Sequence, residues 1–273
     1  MPADWPTAAE WLAAGGGELV VAGVPLAAGA VTQAGYDGAP AAIRRRLARF
    51  STYHGERRLR LPAAHDLGDG LDPPPLDAPL TILLGGHNGV TYEALRRRPD
   101  LSQWGLLTLD AHHDVRPYAP GRPGNGSPVR ALIDAGLPGT QVVQVGIHGF
   151  SNSEADRVWC EAAGITVLGP AHAEAVPELL DHLADRAAHL YVDLDVDVLD
   201  RAFAPACPGA RPGGITPRQL AGAALAAGAH PAVRAVDIVE VAPELDVASV
   251  TVDAAALCLL NAAAGFATRA DRS

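Results

Sequence analysis

Short apolar runs that end in glycine or in a polar cluster recur along this chain, and they alternate with longer segments whose apolar positions follow a helical period. Strands are predicted over 18–23, 64–69, 80–84, 106–110, 141–147, 165–168, 189–195 and 235–239. Helices are predicted over 40–50, 90–98, 128–135, 154–163, 174–187, 217–227 and 249–264. In the first of these, Ile43, Leu47 and Phe50 share a face and Pro40 sits near the start, where its missing N–H costs nothing. Strand–helix alternation implies a mostly parallel sheet covered on both faces. The expected class is therefore α/β: a single three-layer α/β/α domain over residues 1–273, with about eight strands. Eight strands also suit a closed barrel; an open sheet is preferred because the first two units are irregular.

Two of the strands end in chemistry. Leu106-Leu107-Thr108-Leu109 runs into Asp110-Ala111-His112-His113-Asp114. If the chain stays extended, alternate side chains point the same way, so Asp110, His112 and Asp114 face one point and His113 faces elsewhere. The run Leu190 to Asp200 repeats the pattern, with Asp193, Asp195 and Asp197 on one face. Interior carboxylates need partners, and several on one face repel unless cations intervene. Together the two ends outline a binuclear metal centre. Such an oxygen-rich, imidazole-poor donor set favours Mn2+ over zinc. His87 and Glu240 also fall at predicted strand ends, where ligands gather in parallel sheets.

Composition narrows the partners to small molecules. At 273 residues and 48% apolar content the chain has ample core material. A formal charge of −10 disfavours nucleic acid, which requires a basic face. No membrane partner is expected, since no uninterrupted apolar run approaches a span. The N-terminus lacks a basic region followed by an apolar one, so a cytoplasmic location is expected. Cys160, Cys207 and Cys258 are odd in number and widely spaced, reading as reduced thiols. Every one of the 21 basic residues is arginine, which excludes a lysine Schiff base.

With those motifs in view, the chain resembles the ureohydrolase family of arginases, agmatinases, guanidino-acid hydrolases and formiminoglutamases. The resemblance rests on Gly85-Gly86-His87-Asn88, Asp110-Ala111-His112-His113-Asp114, Asp195-Val196-Asp197-Val198-Leu199-Asp200 and Asp237-Ile238-Val239-Glu240-Val241-Ala242-Pro243. Softer matches are 40–44 (Pro-Ala-Ala-Ile-Arg) and 66–69 (Asp-Leu-Gly-Asp). It implies an open eight-stranded parallel sheet with two Mn2+ ions at the strand ends, and a homo-oligomer, trimer or hexamer. Asp110 and Asp195 would bridge the ions, Asp114 would join one, and His112 and Asp197 the other.

Two departures shape the expected activity. The family usually has Gly-Gly-Asp-His, whereas here Asn88 stands at the ligand position and His87 before it, which weakens the first metal site. Asn125 stands where arginases and agmatinases carry a histidine, which argues against guanidine substrates and leans the resemblance towards formiminoglutamase. The implied reaction is hydrolysis of N-formimino-L-glutamate to L-glutamate and formamide, with Asp114 moving the proton and Glu240 accepting hydrogen bonds from substrate N–H groups. Asn125 and Asn152 are candidate substrate contacts, and Arg130, Arg122 or Arg116 would meet the substrate carboxylates. The alternatives are an agmatinase or guanidino-acid hydrolase releasing urea, and an inactive homologue acting as a binding or assembly subunit. A zinc deacetylase fits poorly, because the donors are too rich in aspartate.

Overall fold

The computed structural model describes residues 5–119, 121 and 123–269. Arg122, one of the candidate carboxylate partners, lies outside the described residues. Apart from a small antiparallel pair (Tyr53–His54 with Leu59–Arg60), the strands form one central sheet of eight, in chain order β1 (Leu19–Val24), β2 (Ala64–Asp69), β3 (Leu80–Gly85), β4 (Trp104–Leu109), β5 (Val142–Val145), β6 (Thr166–Leu168), β7 (His189–Asp195) and β8 (Val233–Val239). They pair in the order β2-β1-β3-β8-β7-β4-β5-β6, every pairing parallel. β2 and β6 are left as free edges, so the sheet is open and the barrel is excluded.

Helices α1 (Ala8–Ala14), α2 (Ala39–Arg46), α3 (Gly89–Leu95), α4 (Pro128–Asp134), α5 (Glu154–Ala163), α6 (Val176–Ala184), α7 (Pro217–Ala229) and α8 (Val250–Ala267) cover both faces. Pleating sends alternate side chains to opposite layers. Leu107 and Leu109 of β4, with Leu190, Val192 and Leu194 of β7, pack against α1, α2, α6, α7 and α8. Trp104, Leu106 and Tyr191 face α3, α4 and α5. By length and composition α8 could cross a membrane, but 67% of it is buried inside this fold, as befits a core helix.

α1 escaped the hydropathy reading because it is only seven residues long. Its start was nevertheless written locally: Thr7 and Glu10 form a reciprocal capping box. The softer motifs acquire a structural reason, since Arg44 of α2 forks onto Asp66 through Nε and Nη2, each at 2.8 Å, and also bonds Asp69, pinning the helix to edge strand β2. In Gly85-Gly86, a Cβ on Gly86 would overlap the Leu26 carbonyl, so only glycine lets the two strand-end loops touch.

Candidate metal centre

Neither aspartate-rich strand end stays extended. β4 stops at Leu109, and the Asp110 Oδ1 then accepts the His112 N–H at 2.6 Å, folding the chain over. Asp114 adopts a left-handed conformation, φ 52°, that brings its carboxylate back beneath Asn88. β7 ends at Asp195, whose Oδ1 accepts the Asp197 N–H at 2.8 Å and starts a single 3-10 turn over Val196–Val198. The two ends are then tied together. Asp197 accepts the Ala111 N–H at 2.9 Å and meets the His112 Nδ1 at 2.6 Å. Convergence is thus achieved by side-chain-capped turns, not by strand pleating.

One expectation is corrected here. Asp193 does not face the same point as Asp195 and Asp197; it is paired in register with Asp237 of β8, in the layer below the strand ends. Asp237 in turn accepts hydrogen bonds from the hydroxyls of Thr91 and Tyr191, each at 2.7 Å. The pleat puts Asp193 on the side of Asp195, but one repeat further inside.

Glu240 follows β8, also in a left-handed conformation, φ 67°. Its Oε1 accepts the Asn88 N–H and the Asn125 Nδ2, each at 2.8 Å, and Tyr36 donates its hydroxyl to the same carboxylate. Asn125 is itself fixed by the Val31 N–H, 2.7 Å from its Oδ1. The Asn88 Nδ2 reaches Asp114 at 2.8 Å and Asp110 at 3.4 Å, while its Oδ1 lies 2.9 Å from the Thr91 hydroxyl, whose one proton it shares with Asp237. His87 turns away: its Nε2 lies 2.9 Å from the Ala28 carbonyl and its Nδ1 accepts the Gly89 N–H. The strained backbone at Asp114 and Glu240 sits where the chemistry gathers, a pattern typical of functional sites.

The electrostatics call for cations. Asp110, Asp195, Asp197 and Glu240 are each at most 5% exposed. Burial, then Asp197, pushes the Asp110 carboxyl up to about 7; burial also lifts Glu240 to about 7, against the hydrogen bonds from Asn125 and Asn88. Asp114 and Asp195 are raised well above the carboxylate range, again chiefly by burial. Burial opposes charging of His112, yet its bonds to Asp110 and Asp197 win and hold it up to about 11. Asp197, despite burial, is kept below its usual value by His112. A single imidazolium therefore faces five acids.

The donor atoms fit divalent ions. One atom each from Asp110, His112 and Asp197 lies within 4.8 Å of the others, and so does one each from Asp195, Asp197 and Cys207. Sequence spacing gave no sign of Cys207. In the metal-free protein its thiol is pushed well up by burial and by Asp197 and Glu240. Gly209 must lack a side chain, because a Cβ there would overlap the Asp197 Oδ2.

A cleft of about 110 Å³ opens on the cluster, lined by His112, Asp114, Asp195, Asp197, Glu240, Asn125 and Tyr36. Arg116 and Arg211 stand on its wall. Arg211, missed in the sequence, is braced by the carbonyls of Pro208, Gly209 and Ala210, each 3.0 Å from its Nη1. Arg130 is not brought to this cleft: its guanidinium lies 5.1 Å over the Trp159 ring and bonds the Val115 carbonyl. Asn152 accepts the His113 N–H and donates to the Ala111 carbonyl, each at 2.9 Å, so it braces the His112-His113 turn. It also lines an adjoining recess with His112, Asp114 and Arg116.

Raised carboxyl pKa values make a stability prediction for metal-free protein. Between the unfolded value near 4 and the folded value near 7, the folded state binds more protons, so stability falls as pH rises. The melting temperature of the chelated protein is expected to drop from pH 5 to pH 8, while Mn2+ restores it most at the alkaline end. A flat profile in scanning calorimetry would contradict this electrostatic reading.

Residues 76–265 match the profile of the arginase family. The chain is 33% identical to a formimidoylglutamase of Halalkalibacterium halodurans, over 88% of this chain and 84% of the relative. Among solved structures, formimidoylglutamase from Bacillus subtilis superposes with a TM-score of 0.87 at 28% identity, covering 97% of this chain and 93% of that one. Trypanosoma cruzi formiminoglutamase, solved with Mn2+, shares the fold with a TM-score of 0.84 at 23% identity, covering 97% of this chain and 100% of that one.

Proposed function

This chain belongs to the arginase family, and from that premise we propose that it hydrolyses N-formimino-L-glutamate to L-glutamate and formamide, using two Mn2+ ions. The observation that carries the reading is the gathering of Asp110, Asp114, Asp195, Asp197 and Glu240 around one imidazole at adjoining strand ends. Asp110, Asp195, Asp197, Asp114 and His112 would hold the ions; Asn88 turns its Nδ2 to Asp110 and Asp114, so it would join them only with its amide reversed. Bound there, Mn2+ would lower the pKa of water and polarise the substrate.

The chain's own groups do the rest. Asp114, whose Oδ2 now accepts from the Asn88 amide, is placed to take a proton from the attacking water and deliver it to the departing amine. Water adds its oxygen to the formimino carbon, the bond to the glutamate nitrogen breaks, and of the water's two protons one ends on that nitrogen and the other on the formimino nitrogen, which leaves as the NH2 of formamide. Glu240 accepts hydrogen bonds from the substrate N–H groups, and Asn125 keeps its carboxylate aimed. Arg116 and Arg211 meet the two substrate carboxylates at the mouth.

Three measurements bear on this reading. Assayed with Mn2+ against formiminoglutamate, agmatine, arginine and guanidinobutyrate, the protein is expected to release formamide without urea. Urea would select the guanidine-hydrolase alternative, and silence across the panel an inactive homologue. Arg211→Ala is expected to raise KM roughly tenfold or more with kcat little changed, as loss of a carboxylate contact does; an unchanged KM would remove Arg211 from the substrate. Asn88→His, which supplies a stronger donor, is expected to slow metal loss to a chelator; equal loss rates would place Asn88 outside the centre.

A further inference from the structure

A second cavity, of about 400 Å³, lies at the opposite ends of the same strands. Trp104 and His189, the paired first residues of β4 and β7, form its floor, their rings 5.2 Å apart. Strands of six and seven residues place this floor roughly 20 Å from the aspartate cluster. Arg98, from the turn after α3, and Arg234, near the start of β8, share the walls with Leu76, Asp77, Pro99, Asp100 and Gln103. Arg234 sits where the β7–β8 register slips between Val233 and Ala235, an irregularity of the kind that re-aims a side chain.

The polar groups here are unspent. The Arg98 Nε and the His189 Nδ1 are buried without a hydrogen-bond partner, a condition proteins rarely tolerate. Among the described residues neither Arg98 nor Arg234 forms an ion pair. Arg269 lies beside Arg234 with its guanidinium on backbone carbonyls and the Phe266 ring and on no carboxylate, and burial and Arg234 lower it to about 10. Asp77 and Asp100 also line the cavity, but both are exposed, neither forms an ion pair with Arg98 or Arg234, and the Oδ1 of Asp100 is engaged by Ser102. Within a chain of net charge −10, this cavity sets two unpaired guanidinium groups and a buried unpartnered ring nitrogen around an aromatic floor.

We propose that this cavity is a second ligand site, taking a small organic anion whose carboxylate or phosphate is forked by Arg98 and Arg234 and whose flat body lies on Trp104 and His189. It is independent of the reaction proposed for the metal centre. Calorimetric titration of the Mn2+-loaded protein with benzoate, adenosine monophosphate and inorganic phosphate tests it. At least one organic probe is expected to saturate one site per chain, with phosphate alone weaker, and R98Q and R234Q each to weaken it about tenfold or more, a charge-assisted contact's worth. Trp104 fluorescence should respond to the same probe and fall silent in W104F. Should R98Q or R234Q fail to fold, R98K keeps the charge but loses the fork, and must still weaken binding. No saturation by any probe, or equal affinity in wild type and the arginine variants, would overturn the proposal, the latter by placing the anion at another site such as the metal cleft.

Discussion

Replacing Asp110 with asparagine is expected to lower turnover roughly 10³-fold or more, as loss of a metal-organising ligand does. Asp110 is 1% exposed, and its two oxygens already serve the His112 N–H and the Asn88 amide. An asparagine oxygen can keep the His112 bond, so the turn survives. What vanishes is the charge. Metal content should fall in the same variant, while the metal-free protein should become more stable than metal-free wild type at pH 8, because the cost of burying the Asp110 charge and its repulsion from Asp197 are both gone. Lost activity together with gained apo stability is a signature that plain misfolding does not produce. Turnover within a few-fold of wild type would remove Asp110 from the chemistry.

Glu240→Gln is expected to cost about 10²- to 10³-fold in kcat, the range for one well-placed polar group, yet to leave metal content unchanged. The carboxylate accepts from Asn88, Asn125 and Tyr36, donors only. A glutamine in its place turns one end into a donor facing donors, and it loses the acceptor capacity the substrate N–H groups need. Steady-state kinetics beside metal analysis separates the two carboxylate roles. If metal leaves with the substitution, Glu240 supports the ions and not the substrate.

The layered sheet was readable because its strands are apolar runs of strand length and its helices carry a helical period. The segments carrying the site were readable too, since buried carboxylates at strand ends are costly without a purpose. Their geometry was not. Pleating predicted that Asp110, His112 and Asp114 would align in an extended chain, but the Asp110 carboxylate competes for the backbone and bends it. Asp114 reaches the cluster only through a positive φ, a conformation aspartate tolerates and no pattern announces. Pleating also promoted Asp193, which lies one layer too deep. Arg130 follows the loop in sequence but finds the Trp159 face, a tertiary partner invisible to spacing. Arg211 and Cys207 arrive from loops and Tyr36 from a short 3-10 turn, and their residue types carried no signal.

The most direct test of the account is anomalous diffraction at the manganese edge from crystals grown with Mn2+. Two peaks per chain are predicted, enclosed by Asp110, His112, Asp114, Asp195 and Asp197. A map with no peak among those side chains would contradict it.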